Sequence, residues 1–141
     1  MNFIISYLVV PLISALYVEK NKELDVAFSE LELQSIEKSV GSFCRDRSPK
    51  EYATELRYSY EIEGHAVTLW EERPQHDNKN TAWTKLGIAR FRYAKSVKTW
   101  KLYWMRRDLQ WYAYDPDANT ATSIDKLVRV VVDDKSGAFF G

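Results

Sequence analysis

Between Leu86 and Pro116 the chain reads LGIARFRYAKSVKTWKLYWMRRDLQWYAYDP. Over most of this length, residues of one character alternate with residues of another. Successive side chains of a β-strand point to opposite faces, so period-two alternation predicts strands. Three follow one another. Ala89, Phe91 and Tyr93 alternate with Ile88, Arg90 and Arg92, and Lys95-Ser96-Val97-Lys98 makes a turn. Trp100, Leu102 and Trp104 then alternate with Lys101, Tyr103 and Met105. After a turn at Arg107-Asp108, Leu109, Trp111 and Ala113 alternate with Gln110, Tyr112 and Tyr114. The faces bearing Trp and Leu are expected to lie over a helix. The opposite face is expected to carry Arg90, Arg92, Lys101, Tyr103, Tyr112 and Tyr114.

Two further strands precede this run. In Leu56–Arg73, Leu56, Tyr58, Tyr60 and Ile62 alternate with Arg57, Ser59, Glu61 and Glu63, and Val67 and Leu69 with Thr68 and Trp70. Gly64-His65 supplies a tight turn, since glycine takes a positive φ without strain. The solvent face of this hairpin is acidic, with Glu61 and Glu63 joined near its end by Glu71 or Glu72. A polar loop of Pro74–Thr84 links it to the central strands, with Trp83 near its end as core edge or binding anchor.

Helices flank the strands. Ser29 followed by Glu32 forms a capping box, and Leu33, Ile36, Val40 and Phe43 recur at spacings of three and four. This predicts an amphipathic helix ended by Pro49, with Gly41 permitting close approach to the sheet. Ile124, Leu127, Val128 and Val131 form the stripe of a short C-terminal helix, capped by Thr122 or Ser123. Phe139 and Phe140 are expected to dock on the core. The fold class is α+β: an N-terminal helix packed on a five-stranded antiparallel β-meander, then a short C-terminal helix.

The chain opens with MNFIISYLVVPLISALYV, uncharged until Glu19. A bilayer span needs about 20 apolar residues, so this stretch is at the short limit, and Pro11 sits in its middle. It also lacks the positive start of a signal peptide. Two readings stay open: a membrane-associated segment, or an extension outside the domain. The domain boundaries are set at residues 1–25 for this apolar stretch and its charged linker, and 26–141 for a single α+β domain. Membrane contact is expected only through residues 1–18.

The residues constrain chemistry mostly by exclusion. Twenty Lys and Arg balance twenty Asp and Glu, which argues against a protein that coats nucleic acid, although a local patch is compatible with it. The lone Cys44 cannot form an intrachain disulfide and fits a reducing, cytoplasmic compartment. It is read as a buried small side chain, because no histidine is placed to activate it. His65 is read as a turn residue, and His76 lies in the polar loop without a partner at ligand spacing. No catalytic residue, metal site or cofactor is assigned. Glu71-Glu72-Arg73 loosely imitates a metal-dependent nuclease motif; a divalent-metal hydrolase using Glu61 and Glu71 is the enzymatic alternative.

Arg and Tyr interleaved on a sheet face resemble a platform for single-stranded nucleic acid. The competing explanation is that these cations pair with Glu61, Glu63 and Glu71. Together these observations favour a non-enzymatic binding module using the face around Arg90, Arg92, Lys101, Tyr103, Tyr112 and Tyr114. A protein or peptide partner is favoured over single-stranded nucleic acid. A membrane-tethered accessory protein is a further alternative.

The segments AFSELEL, SFCRDRSP, LRYSYEIEGHAVTLWEERP and GAFFG, with the run W-x-L-Y-W-x-R-x-x-L-x-W-x-x-Y-D-P from Trp100 to Pro116, carry a resemblance. From Val26 to Gly141 the chain resembles the uncharacterised bacterial proteins of domain-of-unknown-function family 3024. Members typically begin near the capped helix, which implies that the first 25 residues are an extension and that Val26 corresponds to a start. The resemblance implies no activity, cofactor or site residue.

Overall fold

The computed structural model describes residues 27–52, 54–75 and 82–141, together with the backbone of Ile5–Tyr7. The capping box forms as predicted: Ser29 Oγ accepts from the Glu32 N–H at 3.2 Å, and the Glu32 carboxylate accepts from the Ser29 N–H at 3.4 Å. It starts helix α1 (Glu30–Ile36), which runs through a π-helical turn at Glu37–Gly41 into α2 (Ser42–Arg47). Leu33, Ile36, Val40 and Phe43 are all buried. The nearest atoms to a Cβ added at Gly41 would be those of the Glu37 carboxylate, at 2.7 Å. That carboxylate also pairs with Arg45 at 2.5 Å and accepts from the Tyr60 hydroxyl. Gly41 therefore makes room for a side chain of its own helix, not for the sheet.

Five strands run antiparallel in chain order: β2 (Arg57–Glu63), β3 (Ala66–Pro74), β4 (Trp83–Ala94), β5 (Thr99–Met105) and β6 (Trp111–Ala113). Two short strands extend the meander. β1 (Ile5–Tyr7) pairs with the outer edge of β2, and β7 (Thr120–Ala121) pairs with β5 beside β6. Apart from Ile5–Tyr7, the apolar N-terminal stretch lies outside the described residues. Among the described residues no helix is long and apolar enough to cross a membrane.

The helices cover one face of this sheet. Tyr58, Tyr60 and Ile62 of β2, Val67 and Leu69 of β3, Phe91 of β4 and Trp100 and Leu102 of β5 are buried there against α1, α2 and α3 (Ile124–Asp133). Ser123 takes the N-cap position of α3, but its hydroxyl makes no capping bond. Asp134 ends α3 in the left-handed conformation, φ 43°. Its carboxylate accepts from the N–H groups of Phe139 at 3.0 Å and Phe140 at 2.8 Å. This clamp docks the terminal aromatics: Phe139 lies on Tyr114 at 5.0 Å between centroids, and Phe140 stacks on Phe43 at 6.0 Å.

Hydrogen bonds to a charged group contribute about 1.5–3 kcal/mol each at most. Asp134→Ala, which removes two, is expected to lower stability by roughly 1–3 kcal/mol. Urea unfolding followed by circular dichroism measures this, and an unchanged midpoint would show that the clamp does not hold the tail.

Candidate functional site

The other sheet face has no helix on it among the described residues, and its composition follows from two register features. The first is a bulge. Leu69 pairs with Ala89 but Trp70 pairs with Gly87, so Ile88 is the extra residue of β4. The bulge reverses the alternation along β4. It brings Trp83, Lys85 and Gly87 onto the same face as Arg90 and Arg92. On that face Arg90 lies between Thr68 of β3 and Tyr103 of β5, and Arg92 between Ala66 and Lys101. Arg90, Arg92, Lys101 and Tyr103 thus form one contiguous patch.

The second feature is the turn between β5 and β6. Met105 pairs with Trp111 and Trp104 with Tyr112, leaving five intervening residues, 106–110. An odd loop keeps even-numbered residues of β5 beside even-numbered residues of β6. Tyr112 and Tyr114 are therefore not on the basic face, a correction to the expected alternation. Tyr112 sits opposite Trp104, with Arg106 over its ring at 4.2 Å and its hydroxyl donating to Asp108 at 2.5 Å. Tyr114 is buried, bonded to Ser136 at 2.8 Å. Leu109, expected in the core, is exposed in the turn with φ 62°. Trp111 takes the place of the two tyrosines on the open face.

Among the described residues, the hairpin acids other than Glu63 are held by cations outside this patch. Glu72 is buried at 4% exposure, and it pairs with Arg57 at 3.1 Å and Lys85 at 3.9 Å. Lys85 also holds Glu61. Glu71 lies on the helix face, where it accepts from the Tyr58 hydroxyl at 3.4 Å and from Arg73 at 2.7 Å. Among the described residues, Arg90, Arg92 and Lys101 form no ion pair.

Arg90 is nonetheless fixed in place. Its Nε–H donates to Thr68 Oγ1 at 3.0 Å, and its guanidinium lies 4.6 Å over the Trp111 ring. Trp111 in turn meets Trp70 edge-on at 6.5 Å. Gly87 makes room for the Trp111 ring, since an added Cβ would lie 2.7 Å from it. Burial lowers the Arg90 pKa; the Glu63 carboxylate opposes that shift and Arg92 adds to it. Beside Arg90 and Arg92 is an open pocket of about 580 Å³, also lined by Glu63, His65 and Thr68. Thr68 and Trp111 escaped sequence reasoning. A glycine inside a strand run, Gly87, was the available signal for a close approach.

Other candidates fare differently. Glu61 and Glu71 lie on opposite faces of the sheet, Glu61 across from Thr68 and Glu71 across from Tyr58, so they cannot share a metal ion. Among the described residues no cluster of three or more His, Cys, Asp or Glu side chains is arranged to hold one. Cys44 is buried, and burial, with the Glu37 charge adding to it, pushes its thiol pKa far up. His65, exposed in the turn, lies edge-on to Phe28 at 6.1 Å. His76 lies outside the described residues. Ser59 Oγ and Trp70 Nε1, cross-strand neighbours, are buried without a hydrogen-bond partner among the described residues.

Two outcomes follow from these contacts. Gly87→Ala is expected to displace the Trp111 ring, cost about 1–3 kcal/mol as overpacking does, and red-shift the tryptophan emission. A wild-type spectrum and midpoint would contradict that contact. Iodoacetamide at pH 8 is expected to leave Cys44 unmodified in the native protein and to alkylate it in urea. Native alkylation at the unfolded rate would contradict its burial.

Residues 28–141 match the family model described as a domain of unknown function, DUF3024. No curated protein and no solved structure matches the chain. The match takes in the capped helix, the whole meander and the docked tail, and the chain belongs to the DUF3024 family.

Proposed function

We propose that the protein is a non-enzymatic binding module, and that its open sheet face around Arg90, Arg92, Lys101 and Tyr103 takes an acidic segment of a protein partner. One observation carries this reading. Among the described residues three cations stand together without ion pairs, while each neighbouring acid except Glu63 is held by a cation outside the patch. Arg90 is half-buried and pinned by Thr68 and Trp111, so its charge is held ready for a partner that brings its own carboxylates.

A protein partner is favoured over single-stranded nucleic acid because base stacking needs free ring faces. Of the three tyrosines expected on this surface only Tyr103 is there, and the Trp111 ring is already covered by Arg90.

Fluorescence anisotropy with a labelled Asp/Glu-rich peptide and with single-stranded DNA and RNA tests this. The wild-type protein is expected to bind the peptide more tightly at low salt than at high salt. Arg90→Glu/Arg92→Glu is expected to lose roughly tenfold or more in affinity, and the oligonucleotides to bind more weakly than the peptide. Equal peptide binding by wild type and variant would mean that this face is not the site. Tighter binding of the oligonucleotides would reverse the choice of partner.

A further inference from the structure

The pocket beside Arg90 and Arg92 has a narrower chemistry than the face around it. We infer that it receives a phosphate monoester dianion, presented by a phosphorylated side chain of the partner; this rests on the binding-module reading above. Three features of the pocket argue for it.

The first is charge. Arg90 and Arg92 sit two residues apart on β4, with Lys101 directly across from Arg92, and Glu63 is the one carboxylate lining the pocket. The lining itself holds two cations and one anion, a net charge of +1, and Lys101, beside Arg92 but outside the lining, raises the local excess to two. A phosphate monoester carries about −1.5 to −2 at neutral pH, against −1 for a carboxylate or a phosphodiester, so it matches that excess.

The second is donor geometry. The Nε–H of Arg90 is used on Thr68 Oγ1, and its ring-facing side on Trp111. The terminal NH2 groups have no partner among the described residues, and the guanidinium orientation is already fixed. Because Thr68 Oγ1 accepts from Arg90, its own hydroxyl hydrogen is available to donate to a second oxygen. Arginine forks with an adjacent hydroxyl suit an anion with several oxygens pointing in different directions better than a planar carboxylate.

The third is space and access. A pocket of about 580 Å³ is far larger than one phosphate group. It accommodates the side chain carrying that group as well, and its open form admits a peptide running across the face. Exposed Arg92 lines the pocket, and exposed Lys101 stands across from Arg92 on β5. Glu63 lies on the wall as an internal competitor for the same cations, so removing its charge should improve binding.

The experiment uses the full chain and three peptides of one acidic sequence: with phosphoserine, with glutamate and with serine at the central position. Inorganic phosphate is a fourth ligand. Affinities are read by calorimetry. The phosphoserine peptide is expected to bind about tenfold tighter than the glutamate peptide, and inorganic phosphate to compete with it. Arg92→Ala and Thr68→Val are expected to erase most of that preference, and Glu63→Gln to tighten the phosphopeptide several-fold. Circular dichroism checks that each variant is folded, and Arg90→Lys keeps the charge while removing the fork.

Equal affinity for the phosphoserine and glutamate peptides, both dependent on Arg90, would overturn the phosphate inference and leave the acidic-partner reading intact. Binding of inorganic phosphate with no gain for the phosphopeptide would overturn the peptide as its source. Binding of none of the four in an Arg90-dependent way would overturn both readings.

Discussion

A carboxylate buried in a sheet must be paired, because leaving it alone costs several kcal/mol. Glu72 is such a group, and it takes Arg57 and Lys85. Lys85 is shared with Glu61, so these four residues form one knot of charge on the open face at the β2–β3–β4 end. Everything proposed for the other end of that face depends on this knot. It uses Glu61 and Glu72 locally and leaves Glu63 as the hairpin carboxylate beside Arg90 and Arg92. The zero net charge of the chain therefore conceals a separation: acids matched with cations at one end, cations in excess of Glu63 at the other.

The bulge at Ile88 makes that separation possible. Without the extra residue, Lys85 and Arg90 would fall on opposite faces, because odd and even positions of one strand point apart. With it, Lys85 reaches Glu72 and Glu61 while Arg90 and Arg92 keep the same face. The same irregularity sets Gly87 beneath Trp111, and Trp111 beneath the Arg90 guanidinium. A packing defect in one strand thus orients a cation two residues away from it. On the helix face the corresponding device is the π-helical turn, which tucks Glu37 over Gly41 and onto Tyr60 and Arg45.

Much of the fold was legible in the sequence. Ser29 and Glu32 announced the helix start, the stripe from Leu33 to Phe43 its buried face, and alternation the five strands of the meander. Arg90, Arg92, Lys101 and Tyr103 were grouped correctly because the turn at residues 95–98 has four residues, which pairs odd positions of β4 with even positions of β5. Tyr112 and Tyr114 were misplaced because the next turn has five. Alternation gives the two faces of each strand but not which face joins which across a turn; loop length and backbone conformation decide that, here through Leu109 at positive φ. Which acid meets which cation was hidden for the same reason, since Glu71 and Glu72 differ by one position and lie on opposite faces.

On this reading Arg92 and Lys101 are not needed to hold the fold together. Arg92 and Lys101 are exposed, cross-strand neighbours without ion pairs among the described residues. Surface substitutions away from structural contacts change stability by no more than about 0.5 kcal/mol. The direct measurement is the urea midpoint of Arg92→Ala/Lys101→Ala against that of Glu72→Ala, which exposes the charge knot to loss. The expected result is a double variant as stable as wild type, or slightly more so through relief of repulsion, and a Glu72→Ala protein that is clearly destabilised. A double variant that loses more than about 1 kcal/mol would mean that these cations are structural, and the open face would lose its claim to be a binding surface.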